Sequence, residues 1–89
     1  MNEKNIKILR DEIDNIDDKI LDLIIRRSSI VEQIGTFKDL SKGVVDKERE
    51  KKVIDKLIKF HKGAYPKDSI IRLWREIFYS SAKLQSKKK

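Results

Sequence analysis

The sequence predicts an all-α fold with three helices per chain, a long N-terminal helix and a helical homodimer. Charged residues make up 42% of the 89 residues and aromatic residues 7%, a balance typical of amphipathic helices with wide solvated faces. One proline and three glycines are too few to punctuate many short strands. A heptad repeat of apolar residues near the N-terminus then indicates helix–helix packing.

The first helix is predicted from about residue 7 to residue 38 or 40, after a frayed start at residues 1–5. Its seam recurs at steps of four and three and consists of Leu9, Ile13, Ile16, Ile20, Leu23, Ile30, Ile34 and Phe37. Such a helix is about 48 Å long, whereas a compact domain of this size is about 30 Å across. Because the seam stays apolar along the overshoot, we expect a second chain to cover it, and a two-fold homodimer is the commonest arrangement.

A second helix is predicted to begin after a loop at residues 40–45, with Asp46 as its N-cap. Its apolar stripe comprises Val53, Ile54, Leu57 and Ile58. We expect His61 to cap its C-terminus and Gly63 to occupy the C′ position just beyond the helix.

A third helix is predicted to begin near Tyr65 and Pro66, because proline is favoured in the first helical turn. Its stripe runs through Ile70, Trp74, Ile77 and Ser81, with Ile71, Phe78 and Leu84 on the flanks. The 89 residues therefore form a single predicted domain, with residues 1–5 and 87–89 as frayed tails.

The formal net charge of +7 favours binding to nucleic acid, an acidic surface or small anions. Its distribution argues against nucleic acid, because residues 11–22 hold six acidic residues and Lys19 is their only base. The terminal lysines at residues 87–89 have a simpler reading as a solvated end.

The chain has no cysteine, no N-terminal signal pattern and no apolar run long enough for a membrane span, so we expect a cytoplasmic protein.

Polar residues interrupt the apolar faces. Arg27 occupies a seam position, which is costly for a guanidinium unless an anion meets it, and Lys38 projects from nearly the same side three turns later. Ser81 and Gln85 continue the stripe of the third helix. Taken singly, Arg27 can pair with a neighbouring carboxylate, and the serine and glutamine can be exposed. Together they predict a pocket for a small polyanion.

The sequence has no cysteine, no Ser-His-Asp set, no metal-ligand spacing and no glycine-rich phosphate loop to accompany this pocket. An enzyme built on it must therefore work by positioning and by stabilising charge.

Five motifs occur in order at set spacings: Leu9-Arg10-x-x-Ile13-Asp14-x-Ile16-Asp17, Leu23 with Arg27, Val31-x-x-Ile34-Gly35-x-x-Lys38, Val45-Asp46-x-x-Arg49-Glu50 and Ser81-x-x-x-Gln85. On these motifs the chain resembles the all-helical class of chorismate mutase over about residues 6–86. The resemblance implies an intertwined homodimer with two active sites. It also implies the rearrangement of chorismate to prephenate, on the route to phenylalanine and tyrosine, without metal, cofactor or covalent intermediate.

The resemblance also implies roles for individual residues. Arg10 and Arg27 are expected to bind the substrate's carboxylates, and Lys38 and Gln85 to donate hydrogen bonds to its ether oxygen. Glu50, with Asp46 nearby, is expected to accept from the ring hydroxyl. Arg49 and Ser81 are expected to contact the carboxylates or their immediate surroundings. Of these residues, Lys38, Gln85, Arg27 and Glu50 are the expected catalytic groups.

Helix geometry constrains the two clamping arginines. Arg10 and Arg27 are 17 residues apart in the sequence, or about 25 Å along a helix axis, which exceeds the length of the ligand. If both serve one site, Arg10 must come from the partner chain, as it does in the family that the chain resembles. The chain ends soon after Gln85, so we expect a monofunctional mutase, although an excised domain would look identical.

Two other readings remain open. Isochorismate-pyruvate lyases share the helices and the cationic clamps, although Asp46-x-x-Arg49-Glu50 fits the mutase pattern better. A basic helical module that binds RNA or protein would explain the net charge but not the alignment of Arg27 with Lys38.

Overall fold

The computed structural model describes residues 3–37 and 46–86. They form three α-helices: α1 (Glu3–Gly35), α2 (Lys47–Phe60) and α3 (Lys67–Ser86). The described residues contain no strand, so the predicted all-α fold class is confirmed. None of the three helices, within the described residues, is long and apolar enough to cross a membrane.

Helix α1 differs from its predicted bounds at both ends. It begins at Glu3 rather than near residue 7, so residues 3–5 are helical and not frayed. An acidic residue in the first turn favours this start, as does the ion pair between Lys7 and Asp11, whose Nζ and Oδ2 atoms are 3.1 Å apart. At its N-terminus, the helix is therefore about one turn longer than the sequence predicts.

The C-terminus of α1 lies at Gly35, earlier than the predicted end at residue 38 or 40. The Thr36 and Phe37 amides donate to Gln33 O and Ile34 O at 3.1 and 3.0 Å, the three-residue spacing that tightens a final turn. The Thr36 hydroxyl also donates to Gln33 O, at 2.7 Å. Lys38 and the predicted loop at residues 40–45 lie outside the described residues.

The chain divides into two compact units, Met1–Ile30 and Val31–Lys89. In the first unit the described residues belong to α1, and its seam is open to solvent: the exposed fractions there range from 49% at Ile20 to 60% at Leu23. The second unit begins at Val31, which is half-buried, and its seam residue Ile34 is 48% exposed. No hydrophobic residue in the described parts of either unit is fully buried.

Within the second unit, α2 packs against α3. The predicted stripes are confirmed as the faces that meet other residues, because all of their members are half-buried: Val53, Ile54, Leu57 and Ile58 on α2, and Ile70, Ile71, Trp74, Ile77, Phe78, Ser81 and Leu84 on α3. The positions of the stripes follow the helical period, so the buried face of each helix was readable from spacing alone.

Capping fixes both ends of α2. Asp46 is the N-cap in extended conformation, and its Oδ1 accepts from Arg49 N at 3.0 Å, which confirms the predicted cap. His61 is the C-cap, also as predicted, and its amide donates to Ile58 O at 3.3 Å. Gly63 has a φ of +91°, but it lies two residues beyond His61 and not one. The predicted C′ assignment was wrong because His61 is extended and the left-handed turn comes later.

Helix α3 begins just after Pro66, close to the predicted start. The Pro66 carbonyl accepts from Ser69 N at 3.2 Å and from Ile70 N at 3.3 Å. Pro66 therefore occupies the N-cap position, where its missing amide hydrogen costs the helix nothing. Asp68 in the first turn adds a favourable interaction with the helix dipole.

We predict that Asp46→Ala lowers the free energy of unfolding by about 1 kcal/mol, because it removes the acceptor for the Arg49 amide. Asp46→Asn is the matched control, since its side-chain oxygen can still cap the helix. Thermal unfolding of both variants at one protein concentration measures the difference. Equal melting temperatures for the alanine variant and the unmodified chain would contradict the capping role.

Candidate active site

Gln85 is the only fully buried polar or charged residue in the described parts of the chain, with 6% of its surface exposed. It lies in the last turns of α3, where it reaches the C-terminal end of α1. Its Nε2 donates to the backbone carbonyl of Val31 at 3.3 Å. This hydrogen bond joins residues 54 positions apart in the sequence.

The Val31 carbonyl determines which way the Gln85 amide points. A carbonyl oxygen can only accept, so the nitrogen of the amide must face Val31 and the oxygen must face away. The nitrogen has two hydrogens, and the bond to Val31 uses one of them. The other hydrogen is the donor that the sequence-based role of Gln85 requires. The oxygen, Oε1, is buried and has no hydrogen-bond partner among the described residues.

A buried amide with an unmatched oxygen is unusual, because burial of an unpaired polar atom costs about 1–3 kcal/mol. Structural glutamines avoid this cost by pairing both ends. The arrangement of Gln85 fits a residue that meets a ligand or partner group at its remaining polar atoms.

Val31 and Gly35 belong to one of the five sequence motifs, but the motif gave neither residue a role in placing Gln85. Val31 contributes a backbone oxygen, which no side-chain pattern indicates. Gly35 is buried, and a Cβ atom placed on it would lie 3.3 Å from Cγ of Gln85. The sequence signal that could have indicated this contact was the glycine itself, because a glycine within a helical pattern can mark a position where another side chain packs closely.

Ser81 lies one turn before Gln85 on the same helix and is half-buried. Its hydroxyl donates to Ile77 O at 2.8 Å. Four residues separate Ser81 from Gln85, so both side chains project from the same side of α3. The predicted continuation of the α3 stripe into polar side chains is therefore present in the structure.

Arg49 and Glu50 are adjacent in α2 but face different grooves. Glu50 lines a groove of about 610 Å³ together with Phe78 and Ala82 of α3. Arg49 lines a second groove, of about 710 Å³, whose apolar floor includes Trp74. The structure of this unit therefore does not bring the Arg49 and Glu50 side chains into one cleft.

The two grooves differ in charge. The Arg49 groove is bordered by five basic side chains, four of Arg or Lys and one of His: Arg49, Lys52, Lys56, His61 and Lys62. The Glu50 groove mixes both signs, and its Lys51 pairs with Asp55 at 2.7 Å. That hydrogen bond and the Asp55 charge raise the pKa of Lys51.

The remaining predicted residues are not among those that line either groove, or they lie outside the described residues. Asp46 is exposed, and one of its two carboxylate oxygens, Oδ1, caps α2. Arg10 is exposed and Arg27 half-buried, both on α1 within the first unit. Because one continuous helix carries both arginines, their positions are about 25 Å apart along its axis. Lys38 lies outside the described residues.

Possible metal ligands among the same described residues are dispersed. No group of three or more His, Cys, Asp or Glu side chains there is close enough together to hold a metal ion. The Gln85 amide meets the Val31 carbonyl, and the Ser81 hydroxyl lies one turn before Gln85 on α3.

Residues 9–86 match the family described as chorismate mutase type II, and the chain belongs to that family. This confirms the resemblance seen in the five sequence motifs. A bifunctional chorismate mutase/prephenate dehydratase of Aquifex aeolicus is 31% identical to the chain over 89 residues. That match covers 94% of this chain and 25% of the relative.

A second bifunctional chorismate mutase/prephenate dehydratase, from Stutzerimonas stutzeri, is also 31% identical, over 86 residues, and 24% of its length is covered. The chain thus spans about a quarter of the length of the curated relatives it matches. Among solved structures, chorismate mutase (form II) from Thermus thermophilus superposes with a TM-score of 0.84 at 29% identity. That similarity covers 92% of this chain and 94% of the other.

For the activity on chorismate proposed below, we predict that Gln85→Glu causes a loss of about 10²–10³-fold at neutral pH, the usual cost of losing one donor to a developing oxyanion. The new carboxylate cannot donate, and the Val31 carbonyl and burial both oppose its charge, so its pKa is raised. Activity should therefore recover as the pH falls and the acid is protonated. Because the folded-state pKa exceeds the unfolded one, the variant should also be least stable above that pKa.

Gln85→Ala is the control for this titration, since it lacks both the donor and the titrating group. The pH profile of kcat for the two variants, each divided by that of the unmodified chain, measures the effect. Undiminished activity of Gln85→Glu at neutral pH would contradict a donor role for Gln85.

Proposed function

We propose that the chain is a chorismate mutase, which converts chorismate to prephenate in the cytoplasm as a step towards phenylalanine and tyrosine. The observation that carries the proposal is the buried Gln85 amide, oriented by Val31 and retaining a donor, in a chain whose residues 9–86 match the chorismate mutase type II family. The reaction is unimolecular: the ether C–O bond breaks while a C–C bond forms. No proton has to be transferred and no covalent intermediate with the protein is needed.

The proposed chemistry depends on charge that appears during bond cleavage. The ether oxygen gains negative charge as its bond to carbon breaks, so donors aimed at it stabilise the transition state more than the substrate. We assign this role to Gln85 and Lys38. The Gln85 amide suits it because its nitrogen donates to Val31 O, and a flipped amide would place two acceptor oxygens against each other.

The other proposed residues bind and orient the dianionic substrate. Arg10 and Arg27 bind its carboxylates, because a guanidinium matches a carboxylate with two parallel hydrogen bonds. Glu50, with Asp46, accepts from the ring hydroxyl. Arg49 and Ser81 complete the surroundings of the carboxylates. Holding the flexible substrate in the folded, chair-like geometry lowers the entropic part of the barrier.

We propose further that the active form is a homodimer whose sites combine residues from both chains. Three features support this assembly: the described residues bury no hydrophobic side chain, the α1 seam is exposed, and Arg10 and Arg27 are too far apart on α1 to reach one ligand. A partner chain that covers the seam would bury apolar surface and would bring its own Arg10 to the site that contains Arg27.

The direct test is to incubate the purified protein with chorismate and to detect prephenate. Isochorismate in a parallel reaction separates the lyase, which would release pyruvate and form no prephenate from chorismate. A labelled RNA in a third reaction tests the basic-module reading. Absence of prephenate from a folded dimer would overturn the proposed function.

We predict that Arg27→Ala lowers kcat/KM by at least about 10²-fold while the helical dimer stays intact, because one charge-paired clamp on the substrate is lost. Arg26→Ala is the matched control: Arg26 is the next residue on α1, and it is an exposed ion-pair partner of Asp22 at 2.9 Å. Kinetics with chorismate and circular dichroism measure both variants. Comparable activity of the two variants would remove Arg27 from the site.

We predict that mixing Arg10→Ala with Arg27→Ala chains restores activity that neither variant has alone. In the mixed dimer, one site receives both native arginines and the other receives neither. Random exchange of equal amounts should therefore restore about a quarter of the native activity. Subunit exchange followed by native mass spectrometry counts the mixed dimers, and their inactivity would argue against a shared site.

A further inference from the structure

Gly35 has no role in the proposed function, yet it is the buried residue at the end of α1 that Gln85 packs against. It is the only glycine in a helix of 33 residues. It is also the last residue of α1, a part of a helix where glycine is common when the backbone turns left-handed. Its φ is not in the left-handed region, since Gly63 is the only described glycine with a positive φ. The backbone at Gly35 therefore does not require glycine.

Space, not backbone conformation, distinguishes this position. A Cβ atom on Gly35 would lie 3.3 Å from Cγ, 3.8 Å from Cβ and 3.8 Å from Cδ of Gln85. All three atoms belong to one side chain. The first distance is shorter than an ordinary carbon–carbon contact of about 3.5–4.0 Å, so a methyl group here would push the Gln85 stem away from α1.

The Gln85 amide has little tolerance for such a shift. Its bond to Val31 O is already 3.3 Å long, beyond the usual range for N–H···O bonds. Val31 lies four residues before Gly35, so the carbonyl that holds the amide and the gap that admits the stem are one turn apart on α1. Displacement of the stem would lengthen this bond and release the amide to rotate.

We propose that Gly35 is a positioning residue for Gln85: by lacking a side chain, it lets the Gln85 stem pack against α1 so that Val31 O fixes the amide nitrogen. Gly35 touches no substrate in this arrangement and acts only through Gln85. The inference rests on the proposed function for its catalytic consequence, but the packing relationship stands independently of it.

The stability test is a double-mutant cycle of Gly35→Ala and Gln85→Ala in thermal unfolding at one protein concentration. With Gln85→Ala as background, Cγ is absent, and Gly35→Ala should raise the melting temperature, because alanine fits this backbone conformation and restricts the unfolded chain more than glycine does. With Gln85 present, the same change should raise it clearly less or lower it. Equal shifts in both backgrounds would overturn the proposal.

The catalytic test compares Gly35→Ala with the unmodified chain on chorismate. We expect kcat to fall about tenfold while KM changes less than about threefold, because a misplaced donor is felt mainly in the transition state. Ser29→Ala, an exposed change on the same helix, is the control and should leave both constants unaltered. An unchanged kcat for Gly35→Ala in an active enzyme would overturn the proposal.

The side-chain amide resonance of Gln85 gives a readout that needs no turnover. It is assigned by its disappearance in Gln85→Ala, and Gly35→Ala should shift it and speed its hydrogen exchange. Ser29→Ala should leave it in place. If the native protein fails to convert chorismate, the proposed function fails while the cycle and the resonance still decide the role of Gly35. If conversion occurs without coupling between the two residues, only the role of Gly35 fails.

Discussion

The exposed apolar seam of α1 is the constraint on which the rest of the structure depends. Seven aliphatic residues from Leu9 to Ile34 occupy this seam, and each exposes about half or more of its surface. Covering that surface would stabilise the chain by on the order of 5–10 kcal/mol, using about 1.5–3 kcal/mol for complete burial of one such side chain. This is comparable to the whole folding free energy of a typical domain. Helices α2 and α3 bury their facing stripes only partly, so the stability of the fold is tied to what covers α1.

Gln85 differs from the α1 seam, because its polar side chain is buried whereas the apolar seam residues are exposed. An aliphatic residue at this position would avoid the cost of the unpaired Oε1 atom and would pack against Gly35 as well. The amide is held by Val31, which fixes its orientation and leaves a donor available. A buried, oriented and incompletely paired donor is the kind of group that stabilises charge without reorganising. The cost in stability is consistent with a role in chemistry.

The need to cover the apolar seam and the need to hold the Gln85 amide concern different parts of α1. The seam between Leu9 and Leu23 supports the proposed assembly, and the last turns of α1 supply Val31 and Gly35 to Gln85. In the proposed dimer, the length of α1 serves both purposes, since it carries Arg10 far from Arg27. A shorter first helix would keep the contact with Gln85 but would remove the reach that the shared site needs.

The sequence by itself determined the features that depend on local spacing and chemistry. The helical period gave the stripes of α2 and α3, Asp46 identified the start of α2, and the five motifs identified the family. Helix ends were less certain, because the start at Glu3 and the stop at Gly35 depend on the balance of weak local interactions in single turns. Only the tertiary structure decided that Gln85 turns its nitrogen to Val31 and packs on Gly35, and that Arg49 and Glu50 face different grooves. The contacts of Gln85 with α1, and the grooves that α2 forms with α3, join residues distant in sequence. Their geometry is set by how helices pack, which no local pattern encodes.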